Sequence, residues 1–188
     1  CRKTRRSIKR NRRAILGRAR KGGETNPTRH DWSSGILYVK VILMSLYFIT
    51  GNKGKLAEVQ SVLSGVEALD IDLPEIQSLD AHEIIKAKLE EAQKHQGGEF
   101  IVEDNSLYLE GIKGLPGPLI KWFLKTVGND GLYKMAEAFG NFNAEAKVVI
   151  GYSNSAREIS FFEGSTKGTI VTPRGTEGFG WDPIFQPE

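Results

Sequence analysis

The chain has 188 residues, 39% of them apolar and 26% charged, a balance that supports a packed core and excludes collagen-like, coiled-coil or wholly disordered classes. Its net charge of +3 is unevenly divided: residues 1–34 hold twelve Lys and Arg against Glu24 and Asp31, a surplus of +10 that leaves −7 (3 less 10) for the remainder. The basic character that would suggest a nucleic-acid partner therefore belongs to a tail, and the single cysteine, Cys1, excludes an internal disulfide framework and a thiolate zinc site.

Residues 1–43 read as a basic, disordered extension, because the Arg-rich first 34 carry almost no apolar periodicity to offset the entropy of ordering. They fit a nucleic-acid arm, an organelle presequence or sequence upstream of the natural start, and the absence of a Met before Met44 favours the last. The run Ile36–Ile49 has 14 residues, includes Lys40, and falls short of the roughly 20 apolar residues that a bilayer span requires. Counted from Met44, the segment 46–50 (LYFIT) is a short, apolar, β-prone run, the pattern of a buried strand. A helix follows over 52–63, with Leu56, Val59, Val62 and Leu63 on one face. A second covers 80–96, with Ile84, Ile85, Leu89 and Ala92 facing the core and Asp80 and Glu83 as a capping pair. Leu73-Pro74 reads as a strand end and 100–102 as a short strand. Helices are predicted over 119–127 and 132–139, and strands over 147–152, 158–162 and 168–171. The class is α/β with a mixed sheet, in a domain spanning 44–188.

Three constellations carry chemistry. Thr50-Gly51-Asn52-Lys53-Gly54-Lys55 lies between a buried strand and a helix. There the first-turn N–H groups and the macrodipole favour an anion, phosphate above all, although an ordinary glycine-rich turn has the same local spacing. It is not a Walker A loop, which needs four residues before Gly-Lys and a Ser or Thr after it. Glu75 and the pair Glu103-Asp104 follow predicted strand ends, where α/β folds place ligands, and carboxylates there suit Mg²⁺; a solvated acidic pair fits equally. If Glu103 and Asp104 remain in strand conformation their side chains oppose one another, so only one faces the cleft. Phe179-Gly180-Trp181-Asp182 offers two aromatics around a glycine, either a stacking platform for a base or a buried pair. Lys121 follows the Gly114–Pro118 turn and reads as structural unless it points at a phosphate. His82 and His95 receive no metal role.

Taken jointly, segments 48–63 (FITGNKGKLAEVQSVL), 71–77 (IDLPEIQ), 101–124 (IVEDNSLYLEGIKGLPGPLIKWFL) and 172–188 (TPRGTEGFGWDPIFQPE) resemble the inosine triphosphate pyrophosphatase family, most closely its eukaryotic branch. The resemblance covers about residues 46–188. It implies an elongated α/β fold of two lobes around a long mixed sheet with a central nucleotide cleft, and a cytoplasmic homodimer. The implied reaction is Mg²⁺-dependent hydrolysis of ITP, dITP or XTP to the monophosphate and pyrophosphate, with Mn²⁺ as a substitute metal. Carried over by position, Thr50, Gly51, Asn52, Lys53, Gly54 and Lys55 resemble triphosphate-binding residues, joined by Lys88 and Lys121. Glu75 resembles a metal ligand, Asp104 the catalytic carboxylate that also holds the metal, Asn105 a further substrate-binding residue, and Phe179, Gly180, Trp181 and Asp182 the base-binding loop. Asn105-Ser106 stands where the family more often has Thr or Ser directly after the acidic pair. The family continues past this loop with a tail whose Lys and Ser-His-Arg residues hold the purine edge, so 44–188 reads as incomplete at its C-terminus. The competing readings are a nucleic-acid-binding protein that uses the basic arm without catalysis, and the septum-inhibitor-like nucleotide pyrophosphatases, against which 179–183 (FGWDP) and 114–118 (GLPGP) argue.

Overall fold

In a computed structural model of the chain, the described residues are 45–51, 53–71, 73, 76–175 and 180–188, without the Lys53 side chain. The basic extension, Asn52, Glu75 and Phe179 lie outside them, as does Pro74 of the predicted strand end; Leu73 is in no strand.

The elements alternate as the periodicity predicts. Strand β1 (Leu46–Ile49) leads into α1 (Lys53–Gln60), β2 (Val66–Leu69) into α2 (Ala81–His95), and then comes the long β3 (Glu99–Leu109). A short 3₁₀ turn (Glu110–Ile112) and β4 (Pro116–Gly117) precede α3 (Ile120–Thr126) and α4 (Gly128–Ala138). The chain closes with β5 (Asn143–Ser153), β6 (Ile159–Ile170) and β7 (Phe185–Pro187). Seven strands form one mixed sheet in the order β2-β1-β3-β5-β6-β7, with β4 on the free side of β3. β1 runs parallel to β2 and β3, and the remaining pairs are antiparallel. Among the described residues, no helix is long and apolar enough to cross a membrane.

Side-chain alternation along β3 decides which layer each helix covers. Phe100 and Val102 point to one face and pack with Val149 against Ala81, Ile85, Leu89 and Ala92 of α2. Ile101 points to the other, with Phe48, Val148 and Ile150, under Val59 of α1 and Leu63 in the turn that follows it. Further along that second face, Leu107 and Leu109 join Ala144, Ala146, Ile184 and Phe185 beneath Ile120 of α3 and Leu132 and Ala136 of α4. The second face thus carries two separate apolar clusters, and the residues of β3 between them, Glu103 and Asn105, belong to neither.

Several elements differ from the sequence reading. β3 does not stop at Val102 but runs eleven residues through the acidic pair, because its antiparallel pairing with β5 continues to Leu109. Segments 158–162 and 168–171 are parts of one twelve-residue strand, paired with β5 across Gly164 and Gly168. α4 starts at Gly128 instead of Leu132, and β2, β4 and β7 had no predicted counterpart. Asp80 caps α2 by accepting the His82 N–H at 2.8 Å. Glu83, however, accepts from Ser78 Oγ at 2.6 Å instead of completing the reciprocal box.

Candidate active site

The cleft follows from where β1 stops. Its register with β3 ends at Phe48 opposite Ile101, and β4 takes up the same edge of β3 only at Leu107. Between them, residues 102–106 have no strand partner on that edge among the described residues. A parallel strand that ends beside a longer neighbour leaves a crevice at its carboxyl end, where open α/β sheets receive ligands. Here the crevice is a cavity of about 580 Å³, a volume within the usual range for a small-molecule site.

The cleft brings together most of the residues singled out from sequence. Thr50 and Gly51 line it from the β1–α1 turn, Lys55 from α1, Lys88 from α2 and Lys121 from α3. Glu103, Asp104 and Asn105 come from the open edge of β3, and Gly180 and Trp181 close the far wall. Gly54 stands in the first turn of α1 and Asp182 is buried beside Trp181, but neither lines the cavity. The expectation that only one of Glu103 and Asp104 reaches the cleft is corrected. Their side chains do leave opposite faces of β3, but the missing neighbour lets the cavity wrap around the edge and touch both.

Each acid meets its own lysine neighbourhood. Glu103, on the α1 face, has a side chain only 2% exposed and lies 3.3 Å from Lys55 Nζ. Asp104 lies on the α2 face, where its Oδ2 accepts a hydrogen bond from the fully buried Ser106 hydroxyl at 2.9 Å. Burial pushes the Asp104 carboxyl above the ordinary aspartate range. The Ser106 bond and the charges of Lys88 and Lys55 oppose that rise, and Glu103 adds to it. Asn105 Oδ1 is buried with no hydrogen-bond partner among the described residues, as is Trp181 Nε1. Trp181 is 7% exposed and packs in the Leu107–Phe185 cluster, so it is at once part of the core and part of the cleft wall.

Sequence reasoning missed the apolar share of the lining: Ile49, Ile76, Ile84, Leu119, Trp122 and Leu124. Trp122 stands at the rim, 41% exposed, with Lys121 and Lys125 ammoniums 5.6 and 5.2 Å from its ring. The GLPGP turn, which carries Leu119 and Ile120 into the cleft, was the available signal. Among the described residues there is no group of three or more His, Cys, Asp or Glu able to hold a metal ion. The donors present are oxygens, Glu103, Asp104 and the unpartnered Asn105 Oδ1, which fit a hard cation and not a soft one.

The description that matches this sequence is the Ham1 family, over residues 46–188. The chain is 45% identical over 150 residues to the inosine triphosphate pyrophosphatase of Schizosaccharomyces pombe, covering 78% of this chain and 79% of that one. It is 43% identical over 150 residues to the inosine triphosphate pyrophosphatase of Emericella nidulans, covering 78% and 81%. Among solved structures, a nucleoside-triphosphatase, or dITP/XTP pyrophosphatase, from Mycobacterium abscessus superposes with a TM-score of 0.63 at 28% identity, over 77% of this chain and 84% of that one. A Ham1 protein from Coxiella burnetii, 24% identical with a TM-score of 0.65 over 76% and 81%, shares the fold. With a matching description that spans the whole sheet and the cleft, and relatives above 40% identity, the chain belongs to the Ham1 family, that of the inosine triphosphate pyrophosphatases.

Proposed function

We propose that the protein is a nucleoside triphosphate pyrophosphatase that removes non-canonical purine nucleotides (ITP, dITP and XTP) from the nucleotide pool, by hydrolysis between the α- and β-phosphates. The observation that carries this reading is the convergence of Lys55, Lys88 and Lys121, from three different helices, on a cleft floored by Glu103 and Asp104. Three ammoniums match a polyphosphate, and a carboxylate with a raised pKa suits proton transfer from water. In this reading the triphosphate lies along the β1–α1 turn, over Thr50, Gly51, Asn52, Lys53 and Gly54, and the three lysines neutralise the charge that develops on the departing pyrophosphate. Asp104 orients the attacking water and accepts its proton, and Ser106 holds the Asp104 Oδ2 so that the other oxygen is left for that task. The base stands against the Phe179–Asp182 loop. Glu75 and Asp104 would hold Mg²⁺, with Mn²⁺ as substitute. When bound, the ion supplies further charge neutralisation at the phosphates. The same reading, from the family resemblance, makes the enzyme a cytoplasmic homodimer whose folded unit is 44–188.

The test is the identity of the products. Incubated with ITP and Mg²⁺, the protein should release IMP and pyrophosphate. Release of IDP and inorganic phosphate would overturn the reading.

A further inference from the structure

The far wall of the cleft is anchored unequally. Downstream of Trp181 the chain is firmly rooted: the Trp181 carbonyl accepts N–H bonds from Ile184 at 3.0 Å and Phe185 at 3.2 Å, and both of those side chains are fully buried. Upstream, at Gly180, a long-range bond ties the backbone to the helical layer. Asn129 Nδ2, on the second residue of α4, donates to the Gly180 carbonyl at 3.1 Å across 51 residues of sequence. A carbonyl can only accept, so the amide must present its nitrogen there. Gly180 has a φ of +60°, a left-handed conformation that costs glycine little and that needs holding in place. A methyl group added at Gly180 would meet the Leu124 side chain. The Trp181 indole has no hydrogen bond of its own, since its Nε1 is buried and unpartnered among the described residues. Packing and the backbone that carries the ring therefore set its position.

We propose that Asn129 is a positioning residue for nucleoside recognition: its bond to the Gly180 carbonyl sets where the Trp181 face stands in the cleft, without Asn129 itself lining the cavity. The inference rests on the reading of Gly180–Asp182 as part of the base loop. Asn129 Oδ1 is buried without a partner, so removing the whole amide also removes a buried acceptor that makes no bond. The stability change is accordingly small, while the wall loses its tie. Asn129→Asp is the sharper variant, because it sets a carboxylate oxygen against the carbonyl oxygen and drives the two apart.

The experiment compares two probes that do not turn over, IMP and inorganic tripolyphosphate, by calorimetric titration of the full chain. In Asn129→Ala and Asn129→Asp the Kd for IMP should rise about fivefold to tenfold, the scale set by one neutral hydrogen bond. The Kd for tripolyphosphate should stay within about twofold, and the melting temperature of the Ala variant close to the parent's, whereas the Asp variant, which buries an unpaired carboxylate, melts lower. A purely structural role would weaken both probes together and lower the melting temperature; that result, or an unchanged Kd for IMP in both variants, overturns the proposal. Trp181→Leu separates the two levels. If it leaves IMP binding intact, the base-loop reading itself falls. If it weakens IMP while both Asn129 variants bind like the parent, only the role of Asn129 falls. Should the Asp variant fail to fold, the Ala variant, which adds no charge, decides alone.

Discussion

Replacing Lys55 by Met keeps the aliphatic stem and deletes one charge from a pair whose other member is almost wholly buried. Lys55 Nζ lies 3.3 Å from Glu103 Oε1, and the two side chains are 20% and 2% exposed. At an effective dielectric constant of about 20, the attraction at that distance is roughly 5 kcal/mol. Part of it is returned because Lys55 no longer has to be desolvated, which leaves a net loss of about 3 kcal/mol, the low end for breaking a buried ion pair from one side. For a folded unit of this size that is a fall of about 10 °C in melting temperature. Thermal melts of the single variant and of Lys55→Met combined with Glu103→Gln form the assay. The second change removes the stranded carboxylate, so the double variant should recover most of the loss. A single variant that melts within about 2 °C of the parent, or a double variant no better than the single, would refute the claim that Lys55 has a structural duty besides its proposed place on the triphosphate.

Two further outcomes follow from the same geometry. Asp104→Asn should lower ITP hydrolysis by about 10²- to 10⁴-fold, the usual contribution of a general base. It should nevertheless melt higher than the parent at neutral pH. Burial holds the folded-state pKa of this carboxyl above its unfolded value, so the folded protein binds the proton more tightly, and the parent loses stability as pH rises through the folded pKa. The advantage of the variant should therefore close as the pH falls, and melts that show no such convergence would refute the assignment. Gly151→Ala places a methyl group on Ile85 and Leu89 beneath α2 and should cost about 1–3 kcal/mol, read as a shifted denaturant midpoint; an unchanged midpoint would mean that α2 does not sit so tightly on the sheet.

Much of the scaffold was legible because it is written in local patterns. The apolar run at 46–49 packs on both faces of the sheet, the 3.6-residue stripe of α2 buries one side of that helix, and Asp80 marks a helix start by chemistry that needs no tertiary context. The misreadings share a different cause. β6 alternates outward Glu163, Ser165 and Lys167 with Gly164 and Gly168, a composition that resembles a loop; only the ladder with β5 makes it a strand. β3 seemed to end at Val102 because acids are rare in central strands, yet they persist there because the strand is paired on one edge and, among the described residues, open on the other. Lys55, Lys88 and Lys121 were visible as residues. Their convergence came only through the family resemblance, because it depends on a register offset between β1 and β3 that no local pattern contains. The apolar lining was invisible for a plainer reason: Ile84 and Leu119 look like any other core side chain.

The open stretch of β3 has a consequence for colloidal behaviour. A bare strand edge is a template on which a stray strand from another molecule can add, and proteins usually blunt such edges with charge or cover them. Here that segment carries Glu103 and Asp104 and is overlooked by Lys55 and Lys88, so an incoming apolar strand would meet charge-bearing side chains before it could pair. The groups proposed for phosphate chemistry are thus also of the kind that blunts a strand edge. Variants that neutralise them should be watched for slow, concentration-dependent self-association even where they fold well.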